Sequence, residues 1–110
     1  MTKRILLKLS GEQLQGEFAS DFDPKRARWI AGQIKPALET GAEVVIMVGG
    51  GNYVRGNQII GHGIQPVSAH NIGMLSTLMN AIALADVFND AGLPTRALST
   101  VEINQFIDQY

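Results

Sequence analysis

Residues Glu43 to Val48 read EVVIMV, and three consecutive glycines follow directly. A short run that is apolar on both faces has no side to offer to water. Such runs belong inside a parallel sheet that helices cover on each side. A second β-compatible run, Arg4–Leu9, ends at Ser10-Gly11 in the same manner. Two strands that each end in a glycine-containing turn constrain the chain more than any other feature.

The segments between and beyond them have the helical period. Asp23-Pro24 predicts a helix start, with Asp23 as N-cap and Pro24 at the first helical position. Ala27, Ile30, Ile34 and Leu38 then recur on one face. Pro36 lies within that pattern and predicts a kink or an early end, and Gly41 closes the segment. Residues 15–22 show no period and are expected to be a loop. A long helix is predicted over about residues 69–91, with Leu75, Leu78, Met79, Ile82 and Ala85 forming its apolar face. Gly92 and Pro94 terminate it.

Residues 95–98 are expected to form a third strand. Ser99-Thr100-Val101-Glu102 has capping-box spacing and predicts a last helix with Ile103, Phe106, Ile107 and Tyr110 on one face. That helix has no stop signal, so the chain reads as the front part of something longer. The order β, α, β, α, β, α makes this an α/β unit with a mainly parallel sheet.

At 110 residues there is room for one domain or part of one, and 45% hydrophobic with 17% charged residues is ordinary for a globular protein. A formal net charge of -1 provides no basic field for DNA or RNA, so no nucleic-acid partner is expected. The chain has no cysteine, which excludes disulfides, thiolate metal sites and cysteine nucleophiles. No run approaches the roughly 18 apolar residues of a membrane span. The apolar stretch Ile5-Leu6-Leu7 is too short for a signal peptide. A cytosolic location and no membrane partner are therefore expected.

In an open parallel sheet, ligands bind beyond the carboxyl ends of the strands. The turns at Ser10-Gly11 and at Gly49-Gly50-Gly51 both stand there. Bare backbone allows several N–H groups to converge on one anion. Lys8 precedes the first turn and Arg55 follows the second, and both would add full positive charge. Two facing anion sites suggest a donor and an acceptor phosphate. The P-loop pattern is absent, and Val54 stands where G-x-G-x-x-G would require its third glycine. The plainer alternative is that glycines after a strand make a tight turn and that Lys8 is a solvated lysine.

Three motifs carry a resemblance. Lys8-Leu9-Ser10-Gly11-Glu12, with Leu14 and Gly16, resembles the K-L-S-G-E-x-L-x-G opening of bacterial uridylate (UMP) kinases. Gly49-Gly50-Gly51-Asn52-Tyr53-Val54-Arg55-Gly56 is similar to their G-G-G-N-x-x-R-G loop, and the stretch from Gly73 to Asn80 to their G-M-L-x-T-x-M-N helix. The resemblance implies the amino-acid-kinase fold, a three-layer α/β/α sandwich, with residues 1–110 as the N-terminal portion of a single such domain. It implies transfer of a phosphoryl group from ATP to UMP with Mg²⁺ carried by the nucleotide, in pyrimidine biosynthesis, by a cytoplasmic homohexamer. By position, Lys8, Leu9, Ser10 and Gly11 would hold the ATP phosphates, with Lys8 stabilising charge on the group in flight. Gly50 would bind the UMP phosphate, and Gly51 and Arg55 would reach the transferred phosphoryl.

The sequence departs from that pattern at His70, where the family usually has an aspartate for the UMP ribose hydroxyls. A carboxylate can accept from two hydroxyls, whereas a neutral imidazole accepts only one hydrogen bond. His70 is thus a UMP contact with altered ribose recognition, or a helix-start surface residue. His62 reads as a loop residue. The loop from Gly16 to Asp21 lacks the extra glycines common in GTP-activated members. Family members run to roughly twice this length, so these residues alone are expected to be inactive as a kinase. Two alternatives stand beside the kinase: a non-catalytic nucleotide-binding or assembly module of the same fold, and a related phosphotransferase with a carboxylate or carbamate acceptor.

Overall fold

The structure, a computed structural model, describes residues 3–17, 21–54, 56–106 and 108. Strand β1 (Arg4–Leu9) leads into a 3-10 turn at Gly11–Leu14, and helix α1 (Pro24–Glu39) follows. Strand β2 (Glu43–Val48), a single helical turn α2 (Gly56–Ile59) and the long helix α3 (Pro66–Asp90) complete the main body. The strands pair in parallel, Arg4 opposite Glu43 through Leu9 opposite Val48. A parallel pair requires a crossover, and α1 supplies it.

The pleat puts Leu7, Leu9, Val44, Ile46 and Val48 on one face, where they meet Ala27, Ile30, Ala31 and Ile34 of α1 and Leu84 and Phe88 of α3 in a single core. Leu6, Val45 and Met47 point the other way and are exposed. The described residues supply the sheet and the helical layer on one of its two faces.

Local signals explain the ends of α1. Asp23 is extended, and its Oδ1 accepts from the Lys25 N–H at 2.9 Å, as an N-cap does. The early end expected at Pro36 is not observed, because the helix continues to Glu39. Pro36 is exposed and stands four residues after Gly32, whose Cβ position is open on all sides. The carbonyl that the ring crowds therefore belongs to a residue with space to adjust.

Helix α3 begins at Pro66, three residues before the expected start, because proline suits the first helical position. It ends in a Schellman motif: Leu93 N–H donates to the Phe88 carbonyl at 2.9 Å, Gly92 N–H to Asn89 at 3.1 Å, and Gly92 has φ +86°. Its buried line is Ala69, Ser76, Asn80, Leu84, Ala85 and Phe88. Met79 is 50% exposed and Ile82 60%, so part of the apolar face lies outside the core. The helix is apolar nearly all round, so hydrophobic period cannot select the inward side. By length and composition it is apolar enough to cross a bilayer, contrary to expectation. Its C-terminal half contributes Leu84 and Phe88 to the core shared with β1, β2 and α1.

Two further expectations are overturned beyond α3. Residues 95–98 form no strand. Asn89 takes both backbone groups of Thr95, accepting from its N–H at 2.8 Å and donating to its carbonyl at 3.0 Å, which diverts them from a ladder. Ser99 caps no helix, because its Oγ accepts from the Val101 N–H at 3.2 Å and donates to the Val101 carbonyl at 2.8 Å. Among the described residues a 3-10 turn at Ile103–Gln105 follows, and no α-helix. Ile107 and Tyr110 of the predicted stripe lie outside the described residues.

Candidate functional site

The two glycine turns are brought together by the strand register. Gly49 N–H donates to the Leu9 carbonyl at 3.0 Å, so the ladder runs to the last residue of β1 and both turns leave the sheet at one edge. In the first turn Ser10 N–H donates to Gln13 Oε1 at 2.8 Å. Gly11 then meets the second turn. A Cβ there would stand 2.5 Å from Asn52 Oδ1, 2.6 Å from Gly51 N and 2.9 Å from Asn52 N.

Gly50 faces α3 just as closely. A Cβ on it would be 2.7 Å from Ser76 Cβ, 2.9 Å from Thr77 N and 3.0 Å from the Gly73 carbonyl oxygen. None of Gly49, Gly50 or Gly51 has a positive φ. A tight turn is present here, closed by the Tyr53 N–H on the Gly50 carbonyl, but it needs no glycine-only conformation at these three positions. What Gly50 and Gly11 provide is close approach of backbone to backbone. Gly51 is less confined, with Glu12 Oε1 3.3 Å from its Cβ position. Among the described residues, the Gly50 and Gly51 N–H groups donate to no protein acceptor. The Gly50 carbonyl instead accepts from Tyr53 and Val54 N–H at 3.1 and 3.4 Å.

Sequence reasoning assigned no role to the pair that holds this loop. Asn52 is 2% exposed and Asn80 fully buried. Asn80 Nδ2 donates to Asn52 Oδ1 at 2.7 Å, and Asn52 Nδ2 to Asn80 Oδ1 at 3.0 Å. Asn80 Nδ2 also reaches the Gly49 carbonyl at 2.7 Å, and Asn52 Nδ2 the Asp21 carbonyl at 3.2 Å. Asp21 N–H in turn donates to the Asn52 carbonyl at 3.0 Å. The signal in the sequence is one asparagine in each of two motifs, Asn52 inside the glycine loop and Asn80 at the end of the helix motif. Beside them, burial and then the Asp21 carboxylate hold the Tyr53 phenol above its ordinary range.

Lys8 is exposed on the sheet face opposite the core, across the ladder from Met47. His70 is exposed on α3, one turn before Gly73, on the side of the helix that carries Gly73 and Thr77 towards Gly50. Arg55 lies outside the described residues. His62 stands in the exposed turn between α2 and α3, flanked by Gly61 and Gly63 with φ +90° and +94°, as a loop residue does.

The amino acid kinase family matches residues 3–109. Uridylate kinases of Dichelobacter nodosus (strain VCS1703A) and Methylococcus capsulatus (strain Bath) are each 40% identical over 108 residues, 98% of this chain and 45% of the relative. A crystal structure of UMP kinase from Bacillus anthracis superimposes with a TM-score of 0.73 at 41% identity, covering 80% of this chain and 36% of that one. UMP kinase from Ureaplasma parvum gives 0.81 at 28% identity, covering 100% and 48%. The chain thus spans less than half the length of the curated relatives it matches.

Proposed function

Because the chain belongs to the amino acid kinase family, we propose that it forms the phosphate-binding portion of a uridylate kinase, which transfers a phosphoryl group from ATP to UMP. One observation carries this reading: the turns after β1 and β2 meet at Gly11 and Gly51, so two sets of backbone amides share one edge of the sheet. Residues 1–110 would then be the N-terminal portion of a single domain.

In this reading an oxygen of the UMP phosphate attacks the terminal phosphorus of ATP. A new P–O bond forms as the bond to ADP breaks, giving UDP and ADP. The attacking oxygen is already anionic, so no side chain must remove a proton. Catalysis becomes positioning and charge stabilisation. Gly50 N–H would bind the UMP phosphate, with Gly51 and Arg55 reaching the group in transfer. Ser10, Gly11 and the backbone at Leu9 would cradle the ATP phosphates, and Lys8 would neutralise charge as it develops. His70 would lie towards the UMP ribose. Among the described residues no group of three His, Asp or Glu side chains could hold Mg²⁺. By the resemblance, the ion would be carried by the nucleotide's own phosphates.

We place the protein in the cytoplasm as a homo-oligomer, a hexamer by its resemblance. The exposed Val67, Met79 and Ile82 of α3 support an association surface. The test is calorimetric titration of the protein from its complete reading frame with UMP and with uridine. Binding of UMP that is lost with uridine supports a phosphate-reading loop. Equal binding of both, or none, would overturn it.

A further inference from the structure

We propose that Asn80 is a positioning residue for the acceptor-phosphate loop, acting through the Gly49 carbonyl, with Asn52 as the group that orients it. The inference rests on reading the loop after β2 as a phosphate site.

The argument starts from one peptide plane. The Gly49 carbonyl and the Gly50 N–H belong to the same peptide, and no peptide in the described chain is cis. In a trans peptide the two groups point in opposite directions. Asn80 Nδ2 holds the Gly49 carbonyl at 2.7 Å. The Gly50 N–H is thereby turned away from that contact. A glycine–glycine peptide has little steric resistance to turning over. If it turned, a carbonyl oxygen would face the phosphate in place of an N–H donor.

The side-chain amides are fully committed. Asn80 Nδ2 sends one hydrogen to Gly49 and the other to Asn52 Oδ1, and Asn52 Nδ2 divides its two between Asn80 Oδ1 and the Asp21 carbonyl. Reversing the Asn80 amide would set oxygen against the Gly49 oxygen and against Asn52 Oδ1, so its orientation is fixed by its neighbours. Asn80 also stands on α3, one turn beyond the Ser76 and Thr77 against which Gly50 packs. One helix therefore fixes both the distance of the loop and the direction of its donor.

Two substitutions separate this role from general support of the fold. Asn80→Asp and Asn52→Asp each break the reciprocal pair. Only Asn80→Asp places an acceptor against the Gly49 carbonyl, because an Asp at 52 still accepts from Asn80. The experiment uses the protein from its complete reading frame, with folding followed by circular dichroism and ADP release measured while UMP and ATP are varied separately. Asn80→Asp is expected to raise the KM for UMP by about tenfold or more, and Asn52→Asp by less than about threefold. A buried carboxyl titrates above its usual range and, once protonated, can donate again. The Asn80→Asp to wild-type ratio of KM for UMP should therefore fall as pH is lowered, whereas lost stability alone would leave the ratio unchanged or raise it.

If Asn80→Asp does not fold, Asn80→Ala carries the same expectation for UMP affinity. Equal KM changes in the two Asp variants, or a pH-independent ratio, overturn the inference and leave the phosphate-loop reading in place. Failure of the wild-type protein to bind UMP overturns both.

Discussion

Gly50 lies so close to α3 that a Cβ on it would stand 2.7 Å from the Ser76 Cβ, with Thr77 N at 2.9 Å and the Gly73 carbonyl oxygen at 3.0 Å. Two of these neighbours are helix backbone and cannot swing aside. Gly50→Ala is therefore expected to destabilise the fold by about 1–3 kcal/mol and to weaken UMP binding. Gly51→Ala meets only a flexible Glu12 carboxylate at 3.3 Å and should change stability by less than about 1 kcal/mol. Chemical denaturation of both variants checks the order.

Gly92 supplies a test of the helix end that touches no ligand. Its φ is +86° and nothing lies within 4 Å of its Cβ position, so the effect of Gly92→Ala is confined to the backbone. A loss of about 1–2 kcal/mol is expected. A loss near zero in the denaturation midpoint would mean that the Schellman motif contributes nothing measurable.

Lys8 separates chemistry from folding. It is exposed on the sheet face away from the core, so Lys8→Met should leave the thermal midpoint nearly unchanged. If Lys8 stabilises charge in the transferred group, kcat falls by about 10²–10³-fold in the same variant. A large drop in stability with an unchanged kcat would assign it to the fold.

His70→Asp is expected to tighten UMP about tenfold, because a carboxylate can accept from both ribose hydroxyls where neutral imidazole accepts only once. The comparison is with 2′-deoxy-UMP, for which the gain should be smaller. An unchanged or weaker affinity for UMP would remove His70 from the nucleotide site.

Much of this was legible before any coordinates. The chain has the amino-acid-kinase fold, and its parallel strands, the Asp23-Pro24 helix start and the Gly92 stop follow from local chemistry. Where contacts across the chain decide, the sequence was silent or misleading. Thr95 resembles the start of a strand, but Asn89 takes its backbone groups. Ser99 has capping-box spacing, but it turns back on Val101. On α3, Met79 and Ile82 suit a core as well as Leu84 does, and no period distinguishes them. The Asn52–Asn80 pair joins residues 28 apart, and no periodicity could announce it. For the site, the two glycine turns were visible from spacing, whereas their contact at Gly11 and Asn52 was not.

The central claim is that these turns serve phosphoryl transfer to UMP, and product analysis tests it most directly. The protein from its complete reading frame is incubated with ATP, Mg²⁺ and UMP, and the nucleotides are separated chromatographically. The account predicts UDP and ADP in equal amounts, with no UDP when uridine replaces UMP. ATP left intact, or ADP accumulating with free phosphate and no UDP, would contradict it.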